Sequence, residues 1–216
     1  MKFENGIEHK YRRSIEEALD TILEKGNDSH REVANHILGS QMLIRVKPVS
    51  RMNASGQSGL IDRGDTNDRI EGERLSIAEA FDEIYIAIAE ETIDDGGQRG
   101  CEGTLIHEGR HAYDFARTIE SFSESDMNPL SIFDPTLYEL EWEAHRTSGE
   151  WMLRVALDDY IEEGVQLMIL GREIDGGCFL NDVGIGTRLR DNYGLTPYVN
   201  PGPRASELLG LRPREF

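Results

Sequence analysis

The run His107-Glu108-Gly109-Arg110-His111 places two imidazoles and a carboxylate at spacings that suit metal-assisted hydrolysis. Residues four apart share a face of an α-helix, so His107 and His111 can offer ring nitrogens to one ion. Glu108 is one position on, turned by about 100° around the helix axis. It misses the inner coordination sphere yet reaches a water bound to the metal. Zinc lowers the pKa of that water toward ~7, and the carboxylate then serves as general base and proton shuttle. Two histidines leave a catalytic zinc site incomplete, because such sites usually have three protein ligands and a water.

The neighbours of the motif have plainer readings. Asp114, seven residues after His107 on the same face, would orient His111 or stand as a solvated carboxylate. Cys101 is read as a packing residue rather than a thiolate ligand. Downstream runs Tyr138-Glu139-Leu140-Glu141-Trp142-Glu143-Ala144-His145. Glu139 and Glu143 share one helical face, and Leu140, Ala144 and Trp151 offer a packing surface beside it. Glu139, Glu141 and Glu150 otherwise read as a solvated acidic face. His145 points away from Glu143 and is expected at the surface or in the core, not on a metal. His9, His30 and His36 have no partner spacing. For a donor to a developing oxyanion, Tyr138, Tyr193, Tyr198 and Arg146 are all candidates, and the sequence does not choose among them.

The His-Glu-x-x-His run resembles the zinc motif of the zincin metallopeptidases. The metzincin extension fails: Asp114 stands where that pattern has glycine, and Arg117 where it has a third histidine. The chain is more similar to gluzincins, in which a glutamate on a following helix is the third ligand. Glu143-Ala144 resembles the Glu-Ala step of those ligand helices, so the resemblance implies Glu143 as third ligand, with Glu139 as the alternative. Thr147 departs from the aspartate that some gluzincins carry four residues after the ligand. The likeness spans roughly Ile84 to Trp151. It implies a bound Zn2+ held by His107, His111 and Glu143, with Glu108 as general base and a protein or peptide as substrate. In zincins the strand before the active-site helix borders the cleft and can pair with a substrate chain, a role for Glu83 to Glu90. By analogy the chain suits an effector or toxin-type peptidase, or an intracellular regulatory one. Two other functions use the same residues: a non-peptidase metal hydrolase, and a zinc-stabilised or catalytically vestigial protein-interaction domain.

Such a site needs a scaffold, and 216 residues suffice for one sizeable core, so a single domain over 1–216 is expected. Apolar residues are 38% and charged residues 30%, a globular balance rather than that of a disordered chain. The 41 acidic residues exceed the 23 basic ones, and the formal charge of −18 repels phosphate backbones. Nucleic-acid binding is therefore not expected. No apolar run approaches the ~20 residues of a membrane span, so no membrane partner is expected. Met1 to Lys10 contains no apolar export core, so the expectation is a cytoplasmic protein or one secreted without a classical signal peptide. Two cysteines, Cys101 and Cys178, exclude a disulfide framework. Nothing in the sequence sets an oligomeric state.

The elements follow from periodicity and punctuation. Glu8 to Lys25 reads as an amphipathic helix through Tyr11, Ile15, Leu19 and Ile22, ended by Gly26. Ser29 to Leu38 reads as a second helix and Met42 to Val49 as a strand. Ser50 to Gly72 is expected to be a long loop or irregular ribbon. Glu83 to Glu90 alternates as a strand, Asp94 to Gly97 marks a turn, and Gln98 to Ile119 is the motif helix. A loop over Ser121 to Pro135 and a long helix over Thr136 to Tyr160 follow, then a mostly irregular wrap with short elements from Gly176 to Phe216. Together these predict an α+β, zincin-like domain: N-terminal helices, a small twisted sheet, the active-site helix and the glutamate helix.

Overall fold

A computed structural model describes residues 1–124 and 132–212. The chain runs β1 (Lys2–Phe3), α1 (His9–Lys25), α2 (Asp28–Gly39), β2 (Leu43–Lys47), α3 (Val49–Met52), β3 (Gly56–Leu60), α4 (Arg63–Gly72), α5 (Ile77–Phe81) and β4 (Ile84–Ala89). It continues through α6 (Glu90–Asp94), α7 (Gly97–Ser123), α8 (Leu137–Val155), α9 (Asp158–Gln166), β5 (Leu170–Arg172), β6 (Cys178–Leu180), α10 (Asp182–Tyr193) and α11 (Ala205–Leu209). The architecture is α+β, with a small sheet and a large helical share, as the sequence predicts.

The main sheet has the order β1-β2-β4-β3. β1, β2 and β4 are parallel, with Ile44 opposite Ile86, and β3 returns antiparallel with Gly56 opposite Ile88. The alternation expected for β4 is present, but both of its faces are covered: Ile84, Ile86 and Ile88 are fully buried, and Ala87 and Ala89 nearly so. That is the pattern of an interior strand with helices over it.

α7 is the hub. Its 27 residues make a rod about 40 Å long, touching α1, α2, α4, α5, α6, α8, α11, β3 and β4. Leu105, Ala112, Phe115, Ala116 and Ile119 turn inward and join one apolar cluster with Ile15, Leu19, Ile44, Phe81 and Trp151. α8 begins in a capping box: the Thr136 amide donates to Glu139 Oε2 at 2.7 Å, while Thr136 caps the Glu139 amide. It ends where Ala156 takes a left-handed conformation, φ 56°, and the chain restarts as α9.

The structure corrects several sequence expectations. Ser50 to Gly72 is not a loop: it holds α3, the edge strand β3 and α4. The β3 run Gly-Gln-Ser-Gly-Leu has no apolar alternation because one of its faces lies over the cleft. The helix expected over Thr136 to Tyr160 is two helices. The Asp94–Gly97 turn is shortened by α6. The short elements expected after Gly176 are β6 and α11, and α10 between them is longer, with 12 residues. The loop expected over Ser121 to Pro135 starts later, since α7 extends to Ser123, and its residues 125–131 lie outside the described residues, as does Phe216 at the other end. A second, smaller apolar cluster of Ile169, Ile185, Leu189 and Leu195 packs on Leu137, Tyr138 and Trp142 of α8, and holds α10 against that helix.

Candidate metal centre and cleft

α7 and α8 lie side by side, and their facing surfaces bring together the motif histidines and one glutamate. His107 Nε2 and His111 Nε2 are 3.2 Å apart. Glu141 Oε2 is 3.6 Å from the first and Oε1 is 3.6 Å from the second. Among the described residues, these three form the only His/Cys/Asp/Glu group whose ligand atoms all converge within 4.8 Å. Zn–N and Zn–O bonds of about 2.0–2.2 Å in a tetrahedron put neighbouring ligand atoms roughly 3.3–3.6 Å apart. The separation of the two ring nitrogens is close to that range, each ring nitrogen is 3.6 Å from a different oxygen of Glu141, and the donor types, two imidazoles and a carboxylate, suit zinc.

Burial and mutual charge shift all three side chains. Burial opposes a charge on His107, but the Glu141 carboxylate and then Glu108 outweigh it, and its pKa is raised. Burial and the neighbouring His107 push His111 down to about 4. Burial disfavours the Glu141 anion, yet His107 and His111 hold it at about 2. His111 Nδ1 and Glu141 Oε2 are buried without a hydrogen-bond partner. Buried polar atoms in that state are costly unless something else satisfies them.

Glu143, the residue implied by the gluzincin likeness, lies outside the cluster. The buried stripe of α8 runs through Leu140, Ala144, Ser148 and Trp151. Glu141 flanks that stripe on one side and Glu143 on the other, about 200° apart around the axis. The two histidines face the Glu141 side, whereas the charge of Glu143 acts on Asp114. Glu139 is exposed and occupied in the α8 capping box. His145, expected to play no part, is 5% exposed and enters the site: its ring is 5.0 Å from that of His107, and its Nε2 is 4.0 Å from Glu141 Oε2. Burial and then His107 press its pKa down to about 3. The signal available in the sequence was the Glu141–His145 pair at four residues, one polar line beside the apolar stripe.

Asp114 does not orient His111. It is 2% exposed, and Arg110, one turn earlier, holds both of its oxygens at 2.9 Å. Cys101 is a packing thiol, 3.7 Å from the Ser14 carbonyl, and burial pushes its pKa up to about 12.

Glu108 is buried beside the cluster, and burial raises its pKa. β3 crosses it at Gly56, where a Cβ would fall 2.7 Å from Glu108 Cγ and 2.6 Å from Thr104 Cγ2. Only glycine allows that approach. The cleft above has a volume of about 730 Å3 and is lined by β3, Tyr85, the two histidines, Glu108, Glu141, His145 and Tyr193. Of the four candidate oxyanion donors, only Tyr193 reaches it, with its ring 6.1 Å from that of His145. Tyr198 is 93% exposed, and Arg146 packs over Trp142. The free edge strand along the cleft is β3; β4, which lends Tyr85 to the lining, is interior to the sheet. No described helix is long and apolar enough to cross a membrane.

Comparison of the chain with protein-family models, with curated proteins and with solved structures finds no match in any of the three.

Proposed function

We propose that this chain is a zinc-dependent peptide hydrolase with a zincin-like active site. The reading is carried by one observation: one ligand atom each from His107, His111 and Glu141 lie within 4.8 Å of one another, with the buried carboxylate of Glu108 beside them. His107, His111 and Glu141 would hold the ion. When bound, zinc supplies Lewis acidity, polarising a carbonyl and lowering the pKa of a water toward ~7.

The chain's own residues do the rest. Glu108 takes a proton from the attacking water and returns it to the leaving amine; its raised pKa suits both halves of that transfer. Tyr193 donates its hydroxyl hydrogen to the oxygen on which charge develops. The outer edge of β3 offers backbone N–H and C=O groups to an extended substrate, which would lie along the cleft as an added strand.

A second reading rests on His145. Its buried Nε2 has no hydrogen-bond partner and sits 4.0 Å from Glu141 Oε2. As a fourth ligand it would close the shell, and the domain would be zinc-stabilised rather than catalytic.

The test is metal analysis combined with digestion of a peptide library. Glu108→Gln should retain about one zinc per chain while hydrolysis falls about 10²–10⁴-fold. Unchanged turnover in the zinc-loaded variant removes Glu108 from the mechanism. If the wild type cleaves nothing and His145→Ala strips the metal as fully as His111→Ala, the closed site is correct.

A further inference from the structure

A second cavity, of about 220 Å3, adjoins the cleft at His107 and Glu108. Ser55, Gly56, His107, Glu108 and His145 line both spaces, so the candidate reaction centre stands at their junction. Trp151, Met152, Tyr160, Leu167 and Ile169 form the apolar part of the second cavity's lining, with Thr92, Thr104 and Ser148 as polar neighbours. At its edge Arg99 and Glu163 face each other at 3.5 Å, both about 40% exposed, and offset one another's charge.

Gly103 is the telling position. It lies on α7 one turn before His107, in the lining of this cavity. Glycine inside a helix costs about 1 kcal/mol relative to alanine, so it needs a reason. Gly100 has one, since a Cβ there would meet the Thr92 carbonyl oxygen at 2.3 Å. At Gly103 a Cβ would meet nothing within 4 Å, and its φ is not in the left-handed region. No packing or backbone demand of the protein itself calls for glycine; the space it leaves is the cavity.

We infer that this cavity is the specificity subsite of the proposed peptide hydrolase, receiving a large apolar side chain, of leucine, methionine or phenylalanine type, from a residue flanking the scissile bond. The inference rests on the hydrolase reading for its substrate and on the cavity alone for its chemistry. Apolar walls exclude water and reward a guest by the area it buries. Gly103 sets the depth, so adding a side chain there should shorten the pocket.

The experiment has two arms. In the first, the wild type, Gly103→Ala and Gly103→Leu digest a peptide library, and cleavage sites are read by mass spectrometry. In the second, N-acetyl-leucinamide, N-acetyl-phenylalaninamide and N-acetyl-aspartamide are titrated into the same three proteins, and the backbone amides of residue 103, Met152 and Ile169 are followed by NMR. The wild type should cleave beside large apolar residues. Gly103→Leu should lower the ratio of large to small side chains accepted there by about tenfold or more, with Gly103→Ala intermediate. The leucine and phenylalanine amides should shift the three resonances saturably, the aspartate amide should not, and Gly103→Leu should abolish the shifts. Thermal melts check folding: Gly103→Ala should be no less stable than the wild type. Cleavage whose preference ignores residue 103 overturns the subsite and leaves the hydrolase reading standing. Apolar shifts without cleavage of any peptide keep the cavity as an apolar side-chain site and overturn the hydrolase reading. Neither shifts nor cleavage overturns both.

Discussion

Two places in this molecule bury histidine, and they do so in opposite ways. His30, near the start of α2, is 2% exposed and complete: its Nδ1 accepts from the Asn27 amide, its own amide donates to Asn27 Oδ1, and its Nε2 bonds to the Thr147 carbonyl. Its ring meets Trp151 edge-on. At the α7–α8 seam, three imidazoles crowd two carboxylates, two ring nitrogens face each other, and buried atoms of His111, Glu141 and His145 lack partners. A buried polar group costs free energy unless it is satisfied. His30 is satisfied within the chain and is a structural residue. The seam is not satisfied by the chain's own groups in this way.

If that contrast holds, the largest effect is on the seam. His107→Ala combined with His111→Ala should abolish zinc binding, read by elemental analysis. It should also remove the zinc-dependent stabilisation, about 3–4 kcal/mol at free zinc a hundred to a thousand times Kd. Full zinc occupancy in the double variant would erase the distinction drawn between the two regions.

Next in size is the register of α8. Glu141→Ala should weaken zinc more than about 100-fold, beyond the range typical of residues that only support a ligand. Glu143→Ala should change the affinity by less than about twofold. A competitive chelator titration separates these, and the reverse order would restore Glu143 as the ligand.

His30→Ala should behave in the opposite sense. It leaves the Asn27 amide and the Thr147 carbonyl without partners and opens a gap against Trp151. Urea unfolding should then show a loss of about 2–3 kcal/mol with zinc affinity unchanged.

The smallest effect is on pH dependence. Burial lowers the pKa of His30 from 6.5. Above pH 6.5 neither the folded nor the unfolded chain protonates this residue, and it adds nothing to the slope. As pH falls below 6.5 the unfolded chain takes up the proton first, so stability is lost until the pH has passed the folded pKa. In zinc-loaded protein, where the seam is held by the metal, His30→Gln should flatten the stability profile between pH 7 and 5. An unchanged slope would assign that titration to other groups.

The sequence showed what is local and periodic. The 3.6-residue pattern of α1, the alternation of β4 and the four-residue spacing of His107 and His111 are properties of single elements, and each appears in the structure. Glu141 was not legible, because two carboxylates flank the α8 stripe and only the docking of α8 on α7 decides which one faces the histidines. The Glu-Ala step pointed to the flank away from the histidines. β3 was hidden because Gly56 and Gly59 serve close approaches, to Glu108 and to the Tyr85 ring, and replace the β-branched residues that announce a strand. Thr136 to Tyr160 read as one helix because Ala156, a good helix former, sits at the left-handed break.

The open edge of β3 has a consequence for how copies of this protein meet. An edge strand that offers backbone groups to a guest chain offers them equally to the edge of a second molecule, the usual start of sheet-to-sheet association. Here the strand is five residues long, two of them are glycine, and Leu60 is its only apolar side chain. Each molecule also carries a formal charge of −18, so two edges approach against mutual repulsion. Self-pairing through β3 should therefore be weak at low ionic strength and strengthen as salt screens the charge.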